Sequence, residues 1–278
     1  MHLGFRVAYD GKDFFGFQSQ KNQHTLQDEI EKSLSIYFGK KIRIDFTSRT
    51  DAGVHAFDQW IMIKDGMKLY KKLSLYKQKS LLYSLNSLLA PSVNIVSVLQ
   101  LSKDFHPKRS VKSKEYSYFV FQGPVLDPFM RQRSWWIRSA LDFSKMKKAM
   151  KEIVGKHDFS AFAKMTSLRN KKDGIRKILK ADLFRTPHPF IQGVFIFEFR
   201  FLGEGFLHHM VRNLVGTVVE IGQRRSTSKT ALSISQIRES KDRRVAGKTA
   251  PAAALFLNRT VVPAKFWRCL EVSEKLPR

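Results

Sequence analysis

The spacing of apolar and polar positions predicts that strands and helices alternate along the first hundred residues. Apolar side chains at every second position are typical of strands, and this pattern occurs at 5–9, 42–46, 59–63 and 93–101. Apolar residues three or four apart predict helices at 26–38 and 81–88. Thr25 is a suitable N-cap for the first helix, and Gly39 ends it. The second must stop before Pro91, because the residue before proline avoids helical geometry.

The rest of the chain repeats this alternation. Strands are predicted at 116–121, 195–201 and 255–266, and helices at 143–154 and 206–221. Polar, basic segments between elements predict surface loops at 66–82, 164–177 and 238–248. Two halves with similar mixed plans favour an α+β fold. We expect the boundary near residue 105, with an N-terminal α+β domain at 1–105 and a C-terminal one at 106–278.

The net charge of the chain is the feature of its composition that says most about a partner. The chain has 278 residues, of which 43% are hydrophobic, so it can form a substantial core. It carries 50 Lys and Arg against 24 Asp and Glu, a formal net charge of +26. Such an excess attracts polyanions and favours a nucleic acid as partner. Membrane-surface binding and simple solubilisation are the alternatives, but no basic amphipathic helix or lipid anchor supports the former.

The single cysteine, Cys269, excludes an intrachain disulfide and a multi-cysteine zinc site. No signal-peptide pattern precedes the first predicted strand, and no apolar run approaches the length that spans a bilayer. We therefore expect a soluble, cytoplasmic protein in a reducing compartment.

The segment 48–56, Ser-Arg-Thr-Asp-Ala-Gly-Val-His-Ala, is the richest in candidate chemistry. It places Asp51 where one predicted strand ends and another follows, a common location for catalytic groups on a rigid scaffold. Arg49 lies two positions before this acid and His55 four after it. A lone acid beside glycine is more often part of a solvated turn, but here the flanking strands favour a functional loop.

The predicted helix 206–221 is apolar on all sides, which is typical of a buried helix. Arg212 is then a cation within a core element, and it needs a partner because an unpaired buried charge is costly. No acid lies one turn away on the helix, so the partner must come from elsewhere in the fold or from a ligand. Asp51 is a candidate, and pairing would favour the ionised carboxylate, which can act as a nucleophile. A purely architectural ion pair is the alternative.

Other polar residues give weaker signals. Adjacent residues on a helix diverge, so His208 and His209 are a poor metal pair, and no metal is expected. Tyr116 could stack on a base or simply pack in its sheet. The basic stretch 105–114, which includes Arg109 and Lys114, suits contact with phosphates, although a solvated loop is possible. Residues 169–172 and 243–244 allow the same interpretation with less specificity. The sequence lacks phosphate-cradle, dinucleotide, serine-elbow and paired-carboxylate signatures.

Several separated blocks resemble, in order, those of the TruA family of tRNA pseudouridine synthases. Segment 49–56 resembles its catalytic loop nearly letter for letter, and 206–222 resembles its signature helix. Further blocks lie at 9–11, 15–18, 25–29, 104–106, 114–118, 155–162 and 249–257. The chain departs from the usual family residues at Phe17, Ser48, Lys114 and Ala254. The departure at Lys114 replaces a frequent arginine and would weaken a bidentate phosphate contact.

The resemblance implies a role for each site residue. Asp51 is the nucleophile, Arg212 pairs with it and Tyr116 stacks on the target base. Arg49 helps to hold the flipped nucleotide, and Leu255 forms part of an apolar pocket wall. The predicted substrate-binding set is completed by His55, Lys114 and Arg109.

The resemblance also implies an activity and an assembly. The family isomerises uridine to pseudouridine at positions 38 to 40 of the tRNA anticodon stem-loop, without metal, ATP or organic cofactor. Its members are homodimers of two ferredoxin-like halves, with antiparallel sheets flanked by helices and the active-site cleft between the halves. Two rivals remain: a non-catalytic RNA-binding or ribosome-assembly protein on the same scaffold, and a pseudouridine synthase that acts on another RNA.

Overall fold

The computed structural model describes residues 1–164, 174–223 and 232–270 and confirms a mixed α+β fold with mostly antiparallel strand pairing. By packing, the chain divides into two compact units. Unit 1 comprises Met1–Lys112 and Leu257–Arg278, and unit 2 comprises Ser113–Phe256. The division into domains near residue 105 stays a prediction, and packing adds that residues 257–270 belong to unit 1.

Unit 1 is built around a sheet with the strand order β11-β4-β1-β3-β10, in which β2 pairs with the end of β3. Strand β1 is central and pairs antiparallel with both β3 and β4. The elements are β1 (His2–Tyr9), α1 (Leu26–Phe38), β2 (Asp45–Phe46), β3 (His55–Ile63), α2 (Met67–Lys72), α3 (Leu75–Lys79), α4 (Leu81–Leu88), β4 (Val93–Leu101), β10 (Leu255–Val261, which begins in unit 2) and β11 (Trp267–Cys269).

Helix α1 confirms its predicted ends. The Thr25 hydroxyl accepts a hydrogen bond from the backbone N–H of Asp28, and Gly39 adopts a left-handed conformation at the C-cap with φ of 64°. Leu26, Ile30 and Leu34 are buried at the expected helical spacing. The helix is therefore fixed at both ends and along one face.

Two predictions for unit 1 were wrong in part. The predicted strand 42–46 is a strand only at Asp45–Phe46, because the backbone N–H groups of Ile42 and Ile44 donate to side chains of α1 instead of a neighbouring strand. The predicted surface loop 66–82 contains the short helices α2 and α3 and the start of α4. These helices were not predicted because the segment is rich in lysine, although the Ser74 hydroxyl caps α3.

Unit 2 contains a sheet with the order β5-β9-β8-β7, to which β6 is added parallel to β5. Helices α5 and α6 pack against each other and against this sheet. The elements are β5 (Ser113–Gln122), β6 (Trp135–Ile137), α5 (Phe143–Lys151), β7 (Gly155–Asp158), β8 (Ile175–Pro187), β9 (Phe195–Gly203), α6 (Met210–Gln223) and α7 (Ile234–Ser240).

Several predictions for unit 2 need correction. The predicted helix 206–221 begins at Met210, because His209 has a φ of 64° and left-handed backbone cannot continue a right-handed helix. The predicted loop 164–177 ends inside β8, and its residues 165–173 lie outside the described residues. The predicted loop 238–248 begins inside α7. The predicted strand 255–266 ends at Val261.

None of the helices in the described parts of the chain is long and apolar enough to cross a membrane.

Candidate active site

Asp51 lies at a tight turn that enters β3. The backbone N–H of Val54 donates to the Asp51 carbonyl oxygen at 3.1 Å, and Gly53 adopts a φ of 78°. The N–H of Gly53 donates to the carbonyl of Phe14, so the turn is tied to the aromatic segment after β1. The Asp51 side chain is half-buried and Arg49 is exposed. The turn thus fixes the backbone that carries the candidate nucleophile.

Gln59 anchors the residues that lead into this turn. Its side chain is fully buried. Its Oε1 accepts hydrogen bonds from the Thr47 hydroxyl at 2.8 Å and the Ser48 N–H at 3.1 Å, and its Nε2 donates to the Ser48 carbonyl at 2.6 Å. The Gln59 side chain therefore binds both the N–H and the C=O group of Ser48. Removing it would leave these buried backbone groups without this partner.

A second anchor acts immediately before Asp51. The hydroxyls of Tyr9 and Thr50 share a buried hydrogen bond of 2.8 Å. The Thr50 carbonyl accepts from the N–H of Phe17 at 3.1 Å. Gly16 permits this approach, since it has a φ of 87° and a Cβ there would lie 2.9 Å from the Thr50 oxygen.

His55 is the first residue of β3 and is buried, with 2% of its surface exposed. Its Nδ1 lies 3.2 Å from the backbone N–H of Gly11, which donates to it, and 3.0 Å from Oδ1 of Asp10. Its predicted contact with substrate stays a prediction, and these contacts favour a role in positioning the loop.

Arg212 is half-buried in the first turn of α6 in unit 2. Its Nε donates to the carbonyl oxygen of Ala250 at 2.8 Å, and the Ala250 N–H donates to the Arg212 carbonyl at 3.2 Å. This reciprocal pair holds both the side chain and the backbone of Arg212 against residue 250. The prediction that the helix is buried is confirmed, because all residues from Val211 to Val219 except Arg212 are buried.

The segment 247–250 lies directly against α6 because the helix lacks a side chain there. A Cβ at Gly216 would overlap the carbonyl oxygen of Lys248. The Thr217 hydroxyl accepts from the N–H of Gly247 at 2.9 Å, and Glu220 accepts from the N–H of Lys248 at 2.8 Å. The carbonyl that orients Arg212 is thereby fixed to the same helix.

A buried polar network holds the start of this segment. Oδ1 of Asn213 accepts from the Thr249 hydroxyl at 2.7 Å and from Arg243 at 3.0 Å, and its Nδ2 donates to the Phe162 carbonyl at 2.7 Å. Burial lowers the pKa of Arg243, and the negative charge of Glu220 acts in the opposite direction. Arg243 is half-buried and donates to Asn213, and Arg244 pairs with Asp242 at 2.8 Å. The predicted phosphate contact at 243–244 stays a prediction.

Tyr116 and Tyr118 occupy one face of β5, as the period of a strand predicts. The Tyr116 ring meets the Phe206 ring edge to face, with centroids 5.1 Å apart. The Tyr118 hydroxyl donates to the Pro251 carbonyl at 2.9 Å. Burial raises the pKa of Tyr118, although the positive charge of Arg212 acts to lower it. Tyr118 therefore stays protonated as a donor.

The remaining predicted site residues differ in exposure. Arg109 is exposed, Lys114 is half-buried and Leu255 is buried at the start of β10. The predicted basic site at 169–172 lies outside the described residues. The sequence alone assigned no role to Gln59 or Asn213, which are polar residues within apolar runs.

Known proteins match the sequence of this chain over both the Asp51 loop and α6. A family model described as tRNA pseudouridine synthase matches residues 6–83 and 149–261. A tRNA pseudouridine synthase A of Geobacillus kaustophilus is 37% identical over 255 residues, which cover 91% of each chain. One of Halalkalibacterium halodurans is 34% identical over 259 residues, covering 93% of this chain and 91% of that one.

Among solved structures, a Cbf5-Nop10-Gar1 complex is similar at a TM-score of 0.36 and 8% identity, covering 92% of this chain and 58% of that one, a likeness too low to support an inference. The sequence matches extend along nearly the whole chain and include both the Asp51 loop and α6. The resemblance recognised in the motifs is confirmed, and the chain belongs to the family of tRNA pseudouridine synthases, which are isomerases.

Proposed function

We propose that this enzyme isomerises uridine to pseudouridine at positions 38 to 40 of the tRNA anticodon stem-loop, with Asp51 as its nucleophile. The observation that carries the proposal is the fixed turn at Asp51, which Gln59 and Tyr9 anchor from β3 and β1. Catalytic groups require such a support, because small displacements of a reacting atom are costly in rate. Family membership supplies the reaction.

The reaction needs an everted base. The target uridine leaves its stack, the N1–C1′ bond breaks, the uracil rotates, and a C5–C1′ bond forms while the proton lost from C5 is replaced at N1. In this proposal the Asp51 carboxylate bonds to C1′ as the N1–C1′ bond breaks, and it leaves C1′ when the C5–C1′ bond forms. Departure of the base assisted by proton abstraction at Asp51 is the alternative route. Tyr116 stacks on the uracil and retains it while it is detached.

Arg212 completes the proposed chemistry as the ion-pair partner of Asp51. Its support is the hydrogen bond from the Arg212 Nε to the Ala250 carbonyl, which holds the side chain in place. An ionised carboxylate beside a guanidinium remains available as a nucleophile. Arg49, with its exposed side chain, and Lys114 and Arg109 contact the RNA backbone in this scheme, and Leu255 forms an apolar wall.

The proposal includes an assembly. We expect a homodimer of chains with two ferredoxin-like halves, acting on tRNA in the cytoplasm. The β-α-β-β-α-β order of β1, α1, β2, β3, α4 and β4 in unit 1 supports the first half of this arrangement. The mass of the purified protein in solution tests the dimer.

The test of the function uses purified enzyme and an unmodified tRNA transcript with uridine at positions 38, 39 and 40. Pseudouridine is mapped by carbodiimide labelling and primer extension. We expect pseudouridine in the anticodon arm with wild-type enzyme. Asp51→Asn should lower turnover by about 10³-fold or more while tRNA binding survives.

The controls separate the rivals. Asp45→Asn, on the exposed Asp45 of β2, removes a carboxylate elsewhere in unit 1 and should keep wild-type turnover. Binding without turnover by wild-type enzyme would favour the non-catalytic RNA-binding protein. Pseudouridine in other RNAs but not in the anticodon arm would favour the synthase with another substrate.

A further inference from the structure

A basic groove in unit 2 lies outside the residues assigned above to the chemistry. Its volume is about 520 Å³. It is lined by the edge strand β7, the start of β8 and the segment that follows β9, through Lys156, Ile175, Arg176, Lys177, Glu204 and Gly205. Three of these six residues are cations and one is an acid, so the groove is suited to an anion.

The strand register brings like charges together at this groove. Lys156 on β7 stands directly opposite Lys177 on β8. Like charges that face each other across two strands are destabilising. Glu204 offsets one of them, with its carboxylate 3.1 Å from Lys177. Among the described residues no carboxylate pairs with Lys156, so a bound anion would relieve the remaining repulsion.

The groove is lined by residues that directly precede Phe206, whose ring contacts Tyr116. Glu204 and Gly205 lead directly to Phe206, whose ring meets Tyr116. The Arg176 side chain passes over Gly205, where a Cβ would lie 3.8 Å from its Cδ and 3.9 Å from its Nε. The lining of the groove therefore ends one residue before the ring that contacts Tyr116.

We propose that this groove binds a backbone phosphate of the RNA close to the nucleotide that stacks on Tyr116, with Lys156 and Arg176 as its contacts. The inference rests on the proposed function. A phosphate suits the lining better than a base, because the six residues of the groove include no aromatic side chain on which a base could stack. Arginine can bind two phosphate oxygens at once, and lysine adds a point charge.

The experiment compares Lys156→Gln and Arg176→Gln with Lys148→Gln. Lys148 is an exposed cation on α5 of the same unit, so its variant controls for the loss of one charge. All are made in the Asp51→Asn background to prevent turnover, and each is titrated with an unmodified anticodon stem-loop at several salt concentrations. The groove variants should each reduce the slope of log Kd against log salt by about 0.7 to 0.9, the value for one lost phosphate contact.

A second measurement locates the phosphate. Single neutral methylphosphonates are placed in turn along the stem-loop. At one position near the target nucleotide the substitution should weaken binding by Asp51→Asn alone but not by the Lys156→Gln and Arg176→Gln double variant in that background, because the contact is already lost.

Three outcomes decide the matter. Such coupling at one position supports the inference. Slopes equal to that of Lys148→Gln, or an absence of coupling at every position, would overturn it and leave the proposed function intact if wild-type enzyme forms pseudouridine. Failure of wild-type enzyme to form pseudouridine would overturn both, and that assay is independent of the groove variants.

Discussion

The Asp51 loop and the start of α6 fix a charged residue in different ways. In unit 1 the backbone that carries Asp51 is held in place by Gln59, Tyr9 and a close approach at Gly16. In unit 2 the guanidinium of Arg212 is itself bonded to a backbone carbonyl. We therefore expect substitutions of Gln59 or Tyr9 to change the geometry of the loop that carries Asp51, and a displaced Ala250 carbonyl to change the position of the Arg212 side chain directly.

The largest expected effect comes from the bare face of α6. Gly216→Ala should displace residues 247–250, since the new methyl group meets the backbone of Lys248, and we expect a loss of about 3 kcal/mol in the free energy of unfolding. Denaturant unfolding measures it. Gly222→Ala in the same helix is the control, because its methyl group meets the flexible side chain of Met146. Equal stabilities for the two variants would contradict the close approach.

The second effect separates charge from geometry at Arg212. Arg212→Lys keeps the charge but cannot bond the Ala250 carbonyl and present a planar guanidinium together. We expect kcat to fall by about 10²-fold to 10³-fold with a small change in tRNA binding. Arg200→Lys, in a surface pair with Glu198, is the matched control. Wild-type kcat for Arg212→Lys would show that the orientation of the guanidinium is irrelevant.

The third effect tests the anchor in unit 1. Gln59→Leu removes three buried hydrogen bonds at Thr47 and Ser48, and we expect about 2 kcal/mol of lost stability together with a lower kcat. Unfolding and single-turnover assays measure the two effects. Gln100→Leu on β4 controls for the replacement of a strand glutamine by leucine. A stable variant with normal turnover would mean that the loop does not need this anchor.

The smallest effect concerns one hydroxyl. Tyr9→Phe leaves the Thr50 hydroxyl without this partner and should cost about 1 kcal/mol of stability, with a modest fall in kcat and an unchanged KM. Tyr37→Phe, which loses an exposed bond to the Lys77 carbonyl, controls for removal of a tyrosine hydroxyl. An effect on KM alone would assign Tyr9 to substrate binding instead.

The sequence predicted the helix ends and strands that depend on residues close together in the chain. The ends of α1 follow from Thr25 and Gly39, and β9 follows from its alternating phenylalanines. The candidate residues Asp51, Tyr116 and Arg212 were recognised from motifs. Strand β8 was missed at 178–187, because its outer half is exposed and shows no regular alternation. The roles of Gln59 and Asn213 depend on backbone partners that are 11 and 51 residues away, which no helical or strand periodicity encodes.

The late position of strand β10 in the sequence limits the order in which the parts of the protein can fold during synthesis. Asp58 emerges early, yet its buried carboxylate accepts a hydrogen bond from the backbone of Thr260, which is synthesised 202 residues later. Unit 2 is complete in sequence at Phe256, before the last strands of unit 1 exist. Domains generally fold as they are synthesised. Unit 2 can therefore fold first, while unit 1 acquires its last strands only after residues 257–269 have been synthesised.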